Sequence, residues 1–229
     1  MYKHIFFDLD HTIWDFDKNA EETLHELYIK YNLKKVGLHS AELFIETYTK
    51  NNHQLWADYH IGKISKQVLR ETRFSRTFVE MGVSPYLIPE QFENDYVDIC
   101  PTKTNLFPFA HETLNYLDNK YTLHIVSNGF KESTEMKIGN TGLARYFNNI
   151  FISEVIGFNK PDKALFDHIL SVSKAVIPES LMIGDSIEAD IRGAQNMGMK
   201  AIYFNPENKA KPEDVTQDIA CLSELMNLL

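Results

Sequence analysis

The sequence contains only two cysteines in 229 residues, and their positions show neither a metal-binding nor a redox spacing. Cys100 and Cys221 are therefore expected to be ordinary reduced thiols. No apolar run is long enough to cross a membrane, and the N-terminus lacks the basic-then-apolar pattern of a secretion signal. Internal repeats and low-complexity tracts are also lacking. We therefore expect a cytoplasmic protein that does not bind membranes.

Positive charge is also scarce, because 23 lysines and arginines face 32 acidic residues, which leaves a net charge of −9. Binding to a nucleic-acid polymer needs clustered cations and is not expected. A single nucleotide is not excluded as a ligand, since one lysine and one metal ion can hold one phosphate. The share of hydrophobic residues, 44%, is that of an ordinary globular protein, and the length suits one domain with a sizeable insertion.

Helical periodicity dominates the first part of the chain after its N-terminal apolar segment. Ser40 is expected to cap one helix, and Gly82 to terminate another. The proline-containing break near residues 101–108 is the predicted boundary, which assigns 16–100 to an α-helical insertion and 1–15 with 101–229 to a core domain. The predicted helices of the insertion cover 18–31, 40–56, 65–81 and 85–99.

After residue 108 the pattern changes to alternating strands and helices. Strands are predicted at 122–126, 149–152, 180–183 and 200–204, and helices at 161–172, 187–197 and 222–229. Such alternation, with the N-terminal strand added, predicts an α/β fold with a Rossmann-like parallel sheet covered on both faces.

The N-terminal strand ends in two carboxylates, Asp8 and Asp10, followed by the hydroxyl of Thr12. Residues i and i+2 of a strand point the same way, so the two carboxylates are expected to crowd together. Such crowding raises their pKa values unless a cation neutralises them, and Mg²⁺ is commonly held by one or two carboxylates. A solvated turn at the strand end is the alternative interpretation of this segment alone.

Three further polar segments follow or adjoin predicted strands, at 127–129, 159–162 and 184–186. Each has an ordinary explanation by itself, as a turn, a solvated loop or a helix cap. Ligands of open parallel sheets bind beyond the carboxyl ends of the strands, so the four segments are expected to converge at one edge.

The converging residue types suit phosphoryl transfer. One carboxylate can attack phosphorus and form an aspartyl-phosphate, while a second moves protons to the leaving group and from water. A hydroxyl, a backbone N–H and a lysine can bind phosphate oxygens. The carboxylate of Asp185 completes a site for a hard metal ion.

These four segments, in this order, resemble the motifs of the haloacid dehalogenase superfamily. The resemblance implies that Asp8 is the nucleophile and Asp10 the general acid/base, and the presence of Asp10 favours a phosphatase over a dehalogenase. It implies that the helical insertion is a cap over the site. The resemblance further implies that Mg²⁺ is bound by the Asp8 side chain, the Asp10 backbone carbonyl and Asp185. Phosphate would be bound by Ser127, Asn128 and Lys160. Thr12 would orient the loop after the first strand, and Asp190 would support the metal site.

Longer stretches around these motifs resemble the YjjG-type pyrimidine 5′-nucleotidases of bacteria. His11 stands where many superfamily members carry Gly. Its backbone N–H is expected to remain available there. Its side chain is either a substrate contact or part of an ordinary loop, and both alternatives remain open. Trp14 could stack on a base or pack at the hinge. Lys131 and Lys137 are interpreted as residues of a solvated helix face.

Three functions remain to be distinguished. The first is a Mg²⁺-dependent phosphomonoesterase that acts on a small phosphate ester, expected to be a pyrimidine nucleoside 5′-monophosphate. The second is a sugar-phosphate or phosphoglycolate-type phosphatase or a phosphomutase. The third, from another class, is a catalytically idle binding protein that keeps the fold.

Overall fold

A computed structural model describes all residues from Met1 to Leu229, which form two compact units. One unit combines Met1–Phe16 with Thr104–Leu229, and the other consists of Asp17–Lys103. None of the helices combines the length and the apolar composition that a transmembrane segment requires.

A six-stranded, all-parallel sheet forms the first unit, in the order β3-β2-β1-β4-β5-β6. This sheet and the helices around it confirm the predicted α/β fold. The strands are β1 (His4–Phe7), β2 (Thr122–Ser127), β3 (Asn149–Ile152), β4 (Ser180–Gly184), β5 (Lys200–Phe204) and β6 (Asp218–Ile219).

Strand β1 lies in the middle of the sheet because its residues Ile5, Phe6 and Phe7 are apolar and completely buried. Phe7 lies opposite Ile125 of β2 and Ile183 of β4. The residues that follow these three strands therefore emerge at the same edge of the sheet.

Helices pack on the sheet and supply much of the core. Phe6 and Met182 of the sheet form one buried cluster with Leu165, Phe166 and Ile169 of a covering helix. The α-helices of this unit are α5 (Ala110–Asp118), α6 (Lys131–Asn140), α7 (Ser153–Ile156), α8 (Lys163–Ser173), α9 (Gly193–Asn196) and α10 (Leu225–Leu228), with short 3₁₀ helices at Leu143–Tyr146, Ile177–Glu179 and Leu222–Glu224.

The second unit is entirely helical. Ser40 caps α2 by accepting a hydrogen bond from the Leu43 N–H, as the sequence predicted, and Ser65 caps α3 in the same way. Gly82 follows α3 with φ of 80°, a conformation that favours glycine. The helices are α1 (Phe16–Lys30, whose first residue belongs to the other unit), α2 (Ala41–His60), α3 (Lys66–Glu80) and α4 (Phe92–Ile99), with 3₁₀ helices at Leu33–Val36, Pro85–Leu87 and Cys100–Thr102.

Two predicted helices begin differently in the structure. Pro161 is not in the first turn of α8, because the Asp162 side chain caps that helix by accepting from the Ala164 N–H. The segment predicted as a helix over 187–197 starts with a wide turn, Ile187–Arg192, in which the Ile191 N–H reaches the carbonyl of Ser186. Such π-type turns are frequent at functional sites, and this one directly follows β4.

Four strands and α-helices had not been predicted from the sequence. Strand β6 has two residues and helix α7 has four, too few for a periodic pattern, and α5 follows directly on the predicted boundary. Helix α6 buries only Thr134, Lys137 and Ile138, so it carries no apolar stripe that periodicity could detect.

Candidate active site

Lys160 occupies the centre of the polar cluster at the carboxyl-end edge of the sheet. Its ammonium lies 2.6 Å from Asp8 Oδ1 and 2.7 Å from Asp190 Oδ1, and its side chain is 2% exposed. Burial alone would lower the pKa of this ammonium, but Asp190 and Asp8 together raise it above its usual value. Lys160 is therefore a permanent buried cation between two carboxylates.

Asn128 holds the backbone of Lys160 in place. Its side-chain oxygen accepts from the Lys160 N–H at 2.8 Å, and its side-chain nitrogen donates to the Lys160 carbonyl at 3.0 Å. The loop after β2 thus anchors the segment before α8. The sequence did not indicate this role of the Asn128 side chain, because the two residues are 32 positions apart.

Asp190 is positioned by the wide turn after β4. Its Oδ2 accepts from the Ser186 N–H at 3.0 Å, and a methyl group on Gly184 would lie only 2.2 Å from that oxygen. The absence of a side chain at Gly184 therefore lets Asp190 approach the strand end and reach Lys160.

Asp185 follows β4 and faces the loop after β1. The Thr12 hydroxyl, which is completely buried, donates to Asp185 Oδ1 at 3.2 Å. The backbone N–H of Asp8 donates to the Ile183 carbonyl at 2.9 Å, which keeps the end of β1 beside the end of β4. Thr12 therefore contacts one of the carboxylates that were predicted to hold a metal ion.

Three carboxylates, Asp8, Asp185 and Asp190, have oxygens within 4.8 Å of one another. With Lys160 as the buried cation beside them, two negative charges remain in excess. Burial raises the pKa of Asp8 to about 7 despite the opposing effect of Lys160, and Asp190 adds to the rise. Burial and the carboxylates of Asp8 and Asp190 also raise the pKa of Asp185 well above its usual value. The donor set and its charge fit a hard divalent cation.

Asp10 has a different partner from Asp8. Its Oδ1 lies 2.6 Å from the ammonium of Lys137, and the Lys137 side chain is 5% exposed. The interpretation of Lys137 as a solvated residue is therefore wrong, whereas Lys131 on the same helix is exposed as expected. The Ser127 hydroxyl accepts from the Gly129 N–H at 3.0 Å at the end of β2.

The loop after β1 folds around the Leu9 carbonyl, which accepts from the N–H groups of Ile13 and Trp14 at 2.9 Å. His11 has φ of 64°, which explains why glycine suits this position, and its N–H donates to the Trp14 carbonyl. That N–H is thus engaged within the loop, contrary to the expectation that it remains available. Trp14 is 0% exposed, which favours the alternative that it packs at the hinge over a stack on a base.

The predicted residues Asp8, Lys160, Asp185, Asp190 and Thr12 thus meet through direct contacts or short oxygen distances. Ser127 and Asn128 stand at the end of the neighbouring strand. Sequence reasoning assigned Lys137 to a solvated helix face, and its spacing from the Ser127 segment gives no signal that it is buried.

A buried lysine and carboxylates at the carboxyl-end edge of a parallel sheet define an α/β protein equipped for chemistry at that edge. The chain belongs to the haloacid dehalogenase-like hydrolase family, whose model matches residues 5–204.

Comparison with individual proteins places the chain near two nucleotidases. It is 32% identical to the pyrimidine 5′-nucleotidase PynA of Streptococcus pneumoniae, over 100% of this chain and 95% of that protein. It is 33% identical to the pyrimidine 5′-nucleotidase YjjG of Escherichia coli, over 98% and 96%. A magnesium-bound crystal structure of YfnB from Bacillus subtilis, described as revealing interdomain movement, superposes with a TM-score of 0.87 at 29% identity, covering 100% of this chain and 98% of that one.

Proposed function

We propose that this protein is a Mg²⁺-dependent phosphomonoesterase that hydrolyses pyrimidine nucleoside 5′-monophosphates through an aspartyl-phosphate. The proposal is carried by one observation. Asp8 and Asp10 are two positions apart in the sequence, yet each forms an ion pair with a different lysine. A nucleophile and a proton-transfer group need different environments, and this arrangement supplies them.

Asp8 is the proposed nucleophile. One of its carboxylate oxygens attacks phosphorus, the bond from phosphorus to the ester oxygen breaks, and Asp10 gives its proton to the leaving alkoxide. The ionised Asp10 then takes a proton from water, whose oxygen attacks phosphorus and displaces Asp8. Phosphate leaves, and both aspartates return to their starting states.

The remaining residues bind the phosphoryl group and balance its charge. Lys160 sits beside Asp8 and offsets negative charge on the transferring group, while Ser127 and the Asn128 backbone are proposed to donate to its oxygens. Asn128 also keeps Lys160 at this place through its two side-chain hydrogen bonds. Such fixed donors stabilise the transition state without reorganising during the reaction.

Mg²⁺ is the proposed cofactor, held by the Asp8 side chain, the Asp10 backbone carbonyl and Asp185. It would offset the excess negative charge of the cluster and attract phosphate oxygens. Asp190 is proposed to support the site through its ion pair with Lys160. The carboxylate oxygens suit this ion, and the magnesium-bound YfnB structure supports the assignment.

The substrate class rests on similarity to PynA and YjjG, whose names specify pyrimidine 5′-nucleotides. We propose that the helical unit, Asp17–Lys103, acts as the cap that selects the leaving group. Movement between domains in YfnB supports a closing cap. His11, which is partly exposed, remains a proposed substrate contact.

The test measures inorganic phosphate released from nucleoside monophosphates and sugar phosphates, with Mg²⁺ and with a chelator. We expect the highest kcat/KM for pyrimidine nucleoside 5′-monophosphates and loss of activity in the chelator. Preference for sugar phosphates would contradict the substrate class and leave the chemistry intact. Transfer of phosphate within one substrate without release would indicate a mutase instead.

Asp8→Asn tests the chemical step. We expect a loss of at least about 10³-fold in kcat, because the amide cannot act as the nucleophile. Asp167→Asn is the matched control, since Asp167 is an exposed residue of α8 paired only with Lys163 at the surface. Full activity of Asp8→Asn would refute the mechanism, and no activity of the wild type on any ester would favour a binding protein.

A further inference from the structure

We propose that Lys137, supported by the indole ring of Trp14, is a positioning residue that orients the carboxyl group of Asp10 for proton transfer. The inference rests on the proposed function, since it assigns a partner to the proposed acid/base. It gives a role to a buried lysine that lies outside the four sequence motifs.

Lys137 is placed on the second turn of α6, on the same face as Thr134 and Ile138. All three residues are buried, although the helix is otherwise polar. Burying an ammonium is costly unless it finds a charged partner, and Asp10 Oδ1 at 2.6 Å is that partner. The pair is therefore well placed to hold its geometry, because Lys137 is almost completely shielded from water.

The aromatic rings of Trp14 and Phe16 lie beside the Lys137 ammonium. The Lys137 nitrogen lies 4.3 Å from the centre of the Trp14 ring and 5.4 Å from that of Phe16. These two rings meet edge to face at 5.9 Å. A cation above an aromatic ring is attracted by the negative face of the ring, most strongly where water is excluded. Trp14 thus restrains the lysine.

The pairing also distinguishes the two oxygens of Asp10. Oδ1 accepts from the Lys137 ammonium, whereas Oδ2 points toward Gly129, where a methyl group would lie 3.4 Å from it. The hydrogen bond from Lys137 therefore fixes Oδ1 and leaves Oδ2 directed to the side of the Ser127 segment.

The separate pairing of Asp10 with Lys137 and Asp8 with Lys160 has a further consequence. Each carboxylate keeps its own orientation while the other changes its charge, because the two ammonium groups lie on different elements. Lys137 approaches from α6, whereas Lys160 precedes α8. The nucleophile and the acid/base are thus held independently.

The experiment compares two kinds of phosphate ester with the variant Lys137→Met. A nucleoside 5′-monophosphate has an alkoxide leaving group that needs a proton, whereas p-nitrophenyl phosphate releases a phenolate that does not. We expect kcat/KM to fall about 10²-fold for the nucleotide, within the range of general-acid effects, and less than about 5-fold for the aryl ester. Because kcat/KM reports steps through formation of the aspartyl-phosphate, slow hydrolysis of that intermediate does not affect the comparison.

Lys131→Met is the matched control, since it removes an exposed lysine of the same helix, and it should leave both values unchanged. Lys137→Arg should recover part of the lost nucleotide activity, because it restores the cation. Trp14→Leu should reduce activity in the same ester-dependent direction, but less than Lys137→Met.

Equal losses of kcat/KM on both esters would overturn the proposal, since they would indicate phosphate binding or misfolding. The inhibition constant of inorganic phosphate and the far-UV spectrum of Lys137→Met should match those of the wild type. If Lys137→Met does not fold, Trp14→Leu provides the same ester comparison. Failure of the proposed function would appear separately, as absence of Mg²⁺-dependent hydrolysis by the wild type.

Discussion

At the scale of single residues, burial of the Asp8 carboxylate in its ionised form destabilises the folded protein. Its carboxylate lies among Asp185, Asp190 and Lys160, and burial raises its pKa to about 7. A carboxyl group whose pKa is higher in the folded than in the unfolded protein stabilises the fold at low pH. That stability is present below the unfolded value, 3.8, and is lost as the pH rises through 7.

Asp8→Asn should therefore stabilise the protein in the presence of a chelator. At pH 8 we expect a gain of about 2 kcal/mol, or about 4–8 °C in Tm. At pH 4 we expect almost none, because Asp8 is then protonated in the folded state and the pH is close to its unfolded pKa of 3.8. Differential scanning calorimetry at the two pH values measures the difference in Tm between Asp8→Asn and the wild type.

Mg²⁺ provides the internal check on this prediction. Binding of Mg²⁺ to the wild type should raise its Tm, since the ion binds the folded state. The difference in Tm between Asp8→Asn and the wild type at pH 8 should then disappear. Asp167→Asn, which changes an exposed carboxylate, should show no pH-dependent gain. A difference of equal size at pH 4 and pH 8 would contradict the assignment to Asp8 ionisation.

At the scale of elements, the junction between β4 and the wide turn Ile187–Arg192 positions the acidic side of the site. The strand ends at Gly184, and the Asp190 side chain folds back over it to the Ser186 N–H and to Lys160. The wide turn accommodates this return, with an additional residue between the Ser186 carbonyl and the Ile191 N–H.

Gly184→Ala should displace Asp190, because the new methyl group would lie 2.2 Å from its Oδ2. We expect a destabilisation of about 1–3 kcal/mol and a fall of about 10–100-fold in kcat/KM, since Lys160 loses one of its carboxylates. Chemical denaturation and steady-state kinetics measure the two effects.

Gly139→Ala is the control for this substitution. Gly139 lies in α6, and a methyl group there would have no heavy atom within 4 Å. Replacing a helical glycine by alanine stabilises by up to about 1 kcal/mol, so this variant should be fully active and no less stable. Normal activity and stability of Gly184→Ala would show that Asp190 does not need its observed position.

At the scale of the whole molecule, the buried His124 and the partly exposed His4 form a pair that, with Asn149, links three strands of the sheet and couples global stability to acid. His124 of β2 stacks on His4 of β1, with 3.1 Å between His4 Nδ1 and His124 Nε2. The Asn149 side chain of β3 lies 3.0 Å from His124 Nδ1. These contacts suit a neutral His124 that accepts from Asn149 and donates to His4.

Acid should destabilise the protein through this pair. Burial lowers the pKa of His124 to about 4, and His4 adds to the effect. A histidine that is harder to protonate in the folded state favours unfolding below its unfolded pKa, near 6.5. Stability should therefore fall by about 1.5 kcal/mol between pH 6.5 and pH 5.

Asp8 acts in the opposite direction over the same pH range, so the measurement is made in the Asp8→Asn background. Adding His124→Gln should flatten the dependence of the unfolding free energy on pH between 6.5 and 5, whatever its effect on the absolute value. An unchanged slope would assign the acid sensitivity to other groups.

Local patterns in the sequence were enough to predict the fold class and the places where polar residues leave the sheet. Apolar strands such as His4–Phe7 are short and bounded by polar segments, so local patterns reveal them. Parallel strands bring their carboxyl ends to one edge, and this geometric rule was sufficient to bring Asp8 and Asp185 together.

The pairing of each carboxylate with its own lysine could not be predicted, because it depends on how distant segments pack. Lys137 lies on a mostly polar helix, 127 residues from Asp10, and its burial depends on Trp14 in another loop. The burial of Trp14 and the positive φ of His11 likewise follow from the folding of the loop around Leu9. Periodicity reports which face of an element is apolar, whereas the pairing of charges depends on distances between segments remote in the chain.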